Sequence, residues 1–131
     1  IEAEILKKNN ELAYKHEYLG EITGTGGAVF TNIQRLRIKE SDRVASTIAM
    51  IQNLGGKAAE VGGHLVVWGT GFTGGTVDSV NDHRIAMAAA IGATVCKEDV
   101  TILGAECVEK SYPKFWAEYA RLGGTYELDL R

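Results

Sequence analysis

The sequence predicts an α/β (α+β) fold assembled from repeated strand–helix units. Three observations carry this. Short β-prone runs alternate with helical stripes, and glycine pairs punctuate many of the joints. A pattern also recurs along the chain: Val29 and Val100 each begin a strand-like run, Lys39 and Lys110 follow them by ten residues, and both pairs are offset by 71. The helices that come next end at Leu54-Gly55-Gly56 and Leu122-Gly123-Gly124, so each unit reads strand, lysine, polar cap, helix, Leu-Gly-Gly, strand. Finally, the run Ile85 to Val95 is apolar nearly all round, with Thr94 its polar member. A helix of that kind belongs in a core, covered on several sides.

The elements follow in order. Ile1 to Leu19 is compatible with a helix, interrupted by Asn9-Asn10, and Gly24 to Gly27 ends the segment. Residues 1–25 are therefore set apart as a helical segment or tail, and 26–131 as the folded portion. Ala28 to Ile33 reads as a strand. A helix starts at Ser41 or Asp42, both good caps, and its stripe Val44, Ile48, Ile51, Leu54 holds helical spacing until Gly55-Gly56 stops it. Ala58 to Val61 and Leu65 to Trp68 form strands joined by Gly62-Gly63. The GTGFTGG stretch turns the chain into another strand, Thr76 to Val80. Asn81 or Asp82 caps the apolar helix, and strand Val100 to Leu103 follows. Ser111 and the single proline, Pro113, open a third helix with Phe115, Trp116, Tyr119 and Leu122 as its apolar face; Thr125 to Leu128 is a final strand.

Bulk properties narrow the functions. The 131 residues suffice for one domain with a sizeable core. A net charge of −3 gives no general attraction to nucleic acid or anionic membranes. The longest apolar run is too short to span a bilayer. His16, His64 and His83 show no metal-ligand spacing, so no metal site is expected. Cys96 and Cys107 match no paired motif and read as reduced, buried thiols of a cytoplasmic protein. The start IEAEILKK, with neither Met nor a signal-like segment, reads as part of a longer protein.

Local charge is more telling. The stretch RLRIKESDRV, Arg35 to Val44, holds four basic and two acidic residues just where a helix begins. The apolar helix opens NDHR, with His83 and Arg84, and the third opens EKSYPK, with Lys110 and Lys114. Cations at a helix N-terminus oppose the macrodipole, by roughly 0.3–1 kcal/mol each when exposed. Three such starts point to an anionic ligand: free N–H groups already favour phosphate or carboxylate there, and an arginine adds a two-pronged grip. The plain alternative is surface ion pairing, Arg43 with Glu40 or Asp42 and Arg84 with Asp82. His83 alone reads as a capping or hydrogen-bonding residue. The glycine-rich GTGG and GTGFTGG lack the phosphate-loop pattern and read as turns.

LRIKESDR (Leu36 to Arg43), NDHRIAMA (Asn81 to Ala88) and EKSYPKFW (Glu109 to Trp116), in this order and spacing, resemble the C-terminal part of the 5-enolpyruvylshikimate-3-phosphate synthase family. The match runs from about Gly26 to Gly124. The resemblance implies part of one domain of a two-domain enolpyruvyl transferase fold, each domain made of βαβαββ units with helices inside and sheet outside. It implies transfer of the enolpyruvyl group of phosphoenolpyruvate to the 5-hydroxyl of shikimate 3-phosphate by addition and elimination, releasing phosphate, with no metal or organic cofactor. Arg43, Arg84 and Lys110 would hold phosphoenolpyruvate, Lys39 would contact the phosphorylated shikimate, and Glu40 would shuttle a proton; Glu40 and Lys110 are the expected catalytic residues. The missing partner is the N-terminal domain of the same enzyme.

The family's upstream proton-accepting aspartate has no recognisable counterpart here, since no Asp precedes Asp42. The chain alone is therefore expected not to turn over. Two other readings stand beside this one: a sister transferase acting on a UDP-linked amino sugar, against which KESDR argues, and a non-catalytic α/β interaction module.

Overall fold

The computed structural model describes residues 26–129. Strands β1 (Gly27–Phe30), β2 (Lys57–Val61) and β3 (His64–Trp68) form an antiparallel sheet in the order β1-β3-β2. Strands β4 (Gly75–Asp78) and β5 (Val100–Leu103) pair in parallel, with Gly75 opposite Val100 and Asp78 opposite Leu103. Helix α1 (Arg43–Asn53) packs against β2, β4 and α2 (His83–Ala93), and α2 also packs against β5. Helix α3 (Phe115–Arg121) completes the described elements. No helix among these residues is long and apolar enough to cross a membrane.

Local chemistry explains most boundaries. The Asp42 side chain accepts the Val44 and Ala45 amides, capping α1. At its other end Gly55 takes φ +91°, and the Gly56 amide reaches back to the Ile51 carbonyl at 2.8 Å. The end of α3 repeats this arrangement: Gly123 has φ +106° and Gly124 donates to the Tyr119 carbonyl at 2.9 Å. The two Leu-Gly-Gly signals are thus the same physical stop.

The core gathers around the helices. Met50, Ile51 and Leu54 of the first helical unit pack with Ala58, Val77, Ile85 and Ala89. Ala86 and Ala90 meet Cys107, Val108 and Phe115. A smaller group joins Ile33, Val44 and Leu65.

Several expectations need correction. Two 3-10 helices, Gln34–Ile38 and Ala105–Lys110, escaped the sequence reading; they begin 71 residues apart and extend the duplication. The strand expected over Ala28 to Ile33 stops at Phe30, because Asn32 turns into left-handed backbone at φ 56°. That over Thr76 to Val80 stops at Asp78 for the same reason, Val80 and Asn81 having φ 47° and 58°. Thr125 to Leu128 forms no ladder with the described strands; Tyr126 lies on the Trp116 ring instead, centroids 5.4 Å apart. A strand needs a partner edge to be one.

The apolar helix α2 is open along one side, where Ile91 is 60% exposed. Leu122, assigned to the buried face of the third helix, is 78% exposed. Cys107 is buried as expected, but Cys96 is only half-buried; both are free. The helix expected over Ile1 to Leu19 lies outside the described residues.

Candidate anion site at the start of the apolar helix

The KESDR segment enters α1 from the first 3-10 helix. Arg37 anchors that entry: its guanidinium donates to Glu60 on β2 at 2.6 Å and to the capping Asp42 at 3.2 Å. The Ala45 amide, aided by Arg37, holds the Asp42 carboxyl below its ordinary range.

The start of α2 is built more tightly. The Asp78 carboxylate accepts the Val80 amide at 2.9 Å, and the Ser79 hydroxyl donates to the Gly104 carbonyl at 3.1 Å. Between them and the helix, Val80 and Asn81 both occupy left-handed backbone. For a β-branched valine this conformation is strained, and such strain persists only where the surroundings enforce it. The next residue, Asp82, is fully buried.

Asp82 joins the two segments. Its carboxylate accepts Arg43 through both Nε (2.9 Å) and Nη2 (3.2 Å), the Ser41 hydroxyl (2.7 Å) and the Arg84 amide (3.0 Å). Ser46 donates in turn to Ser41 at 2.9 Å. Glu40 accepts Nη2 of the same Arg43 at 2.6 Å. Next to Asp82 in the chain, the Asn81 carbonyl accepts Lys110 Nζ at 2.6 Å.

Glu40, Arg43 and Lys110, three of the residues singled out in the sequence, therefore meet at one helix start. Lys110 does not open the third helix as expected: it ends the second 3-10 helix, and α3 begins only at Phe115. Lys39 and Arg84 are exposed, and among the described residues their side chains make no hydrogen bond or ion pair. The plain ion-pair alternative is half right. Arg43 does pair with Glu40, yet Asp42 goes to Arg37, and Asp82 pairs with Arg43 and meets Arg84 through its backbone amide, not its guanidinium.

The sequence reading missed the main organiser, treating Asp82 as a cap or a surface partner of Arg84. Its one visible signal was a carboxylate heading a helix with almost no polar face. Ser41, Arg37 and His83 were undervalued for similar reasons. His83 is 6% exposed, and its Nδ1 has no hydrogen-bond partner among the described residues. Glu40, Asp82 and His83 each bring a ligand atom within 4.8 Å of the others, a spacing that suits a cation. The Arg43 guanidinium already occupies both carboxylates. A cavity of about 120 Å³ lies elsewhere, lined by Trp116, Tyr119 and Tyr126 and by none of these site residues.

Burial pushes the Asp82 carboxyl up, but the hydrogen bonds from Arg43, Ser41 and the Arg84 amide outweigh it and hold the group at about 2. The ordinary aspartate value is about 3.9. With the folded value the lower one, the stabilisation from ionised Asp82 is whole above about pH 5 and is lost as the pH falls toward 2. A carbon-13 titration of its side-chain carboxyl is expected to find that depressed midpoint; a midpoint near 4 would contradict a tight pair with Arg43.

Comparison with known proteins bears on this geometry. A family model described as EPSP synthase (3-phosphoshikimate 1-carboxyvinyltransferase) matches residues 20–119. The 3-phosphoshikimate 1-carboxyvinyltransferase of Clostridium acetobutylicum is 48% identical over 100 residues, covering 76% of this chain and 23% of that protein. The Clostridium beijerinckii enzyme of the same name is 42% identical over 104 residues, covering 78% and 24%. The solved structure of EPSP synthase from Acinetobacter baumannii superimposes with a TM-score of 0.73 at 28% identity, over 81% of this chain and 26% of that one. The chain thus spans about a quarter of the length of these relatives.

Proposed function

The chain belongs to the EPSP synthase (3-phosphoshikimate 1-carboxyvinyltransferase) family, and from that membership we propose that it is the C-terminal portion, residues 26–131, of a domain of a cytoplasmic enolpyruvyl transferase. The whole protein would move the enolpyruvyl group of phosphoenolpyruvate to the 5-hydroxyl of shikimate 3-phosphate and release phosphate. The observation that carries this reading is the convergence of KESDR, NDHR and Lys110 on one buried carboxylate and its neighbouring carbonyl, across 39 and 29 residues of chain.

In this reading Arg43, Arg84 and Lys110 receive phosphoenolpyruvate. Asp82 fixes the Arg43 plane through Nε and Nη2, and Lys110 is drawn in by the Asn81 carbonyl. Lys39, without a side-chain partner among the described residues, is left for the phosphorylated shikimate. Preset cations of this kind stabilise charge that grows as phosphate leaves, without reorganising at that moment. Glu40, beside Arg43 and Lys39, is the proton carrier for the addition and elimination. Nothing in the geometry or in the relatives cited favours the amino-sugar or interaction-module alternatives.

Backbone amide shifts on titrating phosphoenolpyruvate into the nitrogen-15-labelled chain test the site. Saturable changes are expected at Lys39 to Arg43, Asn81 to Arg84 and Lys110 to Tyr112, larger than those from inorganic phosphate. A flat response would mean that the site needs residues from outside the chain. The same chain is expected to release no phosphate from phosphoenolpyruvate and shikimate 3-phosphate, because it spans only about a quarter of its relatives' length; measurable turnover would refute this.

A further inference from the structure

We propose that Glu40 acts as an internal competitor for the anion at Arg43 and that an arriving anion releases it. The inference rests on the anion-site reading above and concerns how that site is held when empty. Arg43 carries one positive charge and touches two carboxylates. Asp82 is fully buried and grips both Nε and Nη2, so it is built into the fold. Glu40 adds a second negative charge on Nη2 at 2.6 Å, with its own side chain 44% exposed.

The two contacts differ in what it takes to break them. Removing Asp82 from Arg43 would strand a buried charge and uncap α2. Turning Glu40 outward moves an exposed side chain into water, which solvates it at once. With Glu40 in place the guanidinium is shared between two carboxylates and its Nη2 donor is taken, so phosphate or a carboxylate must displace Glu40 to bind there. With Glu40 turned away, Asp82 still orients Arg43, and the vacated edge matches an anion's geometry. The exchange also has a consequence for Glu40, which leaves its ion pair only when the site is filled. Its availability as a proton carrier is thereby tied to occupancy.

The test uses the 131-residue chain and its E40Q and E40A variants, titrated with phosphoenolpyruvate and with inorganic phosphate at constant ionic strength, chloride serving as the control. Both variants are expected to bind either anion about fivefold more tightly than the unmodified chain, the scale of a half-exposed ion pair. In the unmodified chain the Glu40 side-chain carboxyl carbon is expected to shift on saturation, while Arg43 Nε–H stays in its bonded position on Asp82. Binding by the unmodified chain with no gain in either variant overturns the competitor role and leaves the anion site standing. Binding by none of the three chains overturns the site reading and the competitor role together.

Discussion

Replacing Asp82 by alanine is expected to cost the chain about 3–5 kcal/mol of folding stability, the scale for removing one partner of a buried ion pair. The carboxylate has no exposed surface, and the Arg43 side chain it pairs with is 14% exposed. Three groups lose their acceptor at once: the Arg43 guanidinium, the Ser41 hydroxyl and the Arg84 amide. Glu40 remains on Arg43 but is half in water and cannot replace a two-pronged buried contact. Asp82→Asn keeps an acceptor oxygen while removing the charge, so about 1–3 kcal/mol is expected. Urea unfolding of the two variants checks the order, and the milder one keeps the comparison readable if the alanine variant fails to fold. Replacing Arg43 and Asp82 together by apolar residues of similar size should cost far less than the sum of the single changes. An alanine variant within about 1 kcal/mol of the parent would show that the pair is not the anchor described here.

Leu54→Ala should cost about 2–5 kcal/mol, the range for emptying a fully buried leucine site. Leu54 is 0% exposed and sits where α1, α2 and the first sheet meet, packed with Met50, Ala58, Val77, Ile85 and Ala89. Leu122→Ala is the matched control. Both leucines precede a Gly-Gly stop, and the duplication makes them equivalent in sequence. Leu122 is 78% exposed, so a change within about 0.5 kcal/mol is expected. Denaturant midpoints for the two variants give the answer directly; equal losses would mean that Leu122 has a covering surface in solution.

This contrast shows what kind of information was legible. The caps and stops of α1 were readable because each acts within a few residues: Asp42 on the amides of Val44 and Ala45, Gly55 and Gly56 on the last turn. The Gly62-Gly63 hairpin is equally local, since two adjacent left-handed residues suffice to close it. The two 3-10 helices were missed because their sequences, QRLRI and AECVEK, carry neither a cap side chain nor an apolar stripe.

The sequence by itself determined the α/β alternation, the duplication, and the three cation-rich segments that mark the family. Those signals are spacings and short motifs, set by the covalent chain. Only the tertiary structure decided which cations are engaged and which are free. Arg43 is bound to a carboxylate 39 residues away, Lys110 leaves its own helix to reach a carbonyl 29 residues away, and Lys39 and Arg84 stay unpaired among the described residues. The physical reason is burial: a carboxylate such as Asp82 takes whichever cation the packed helices bring to it, and no local pattern records that choice.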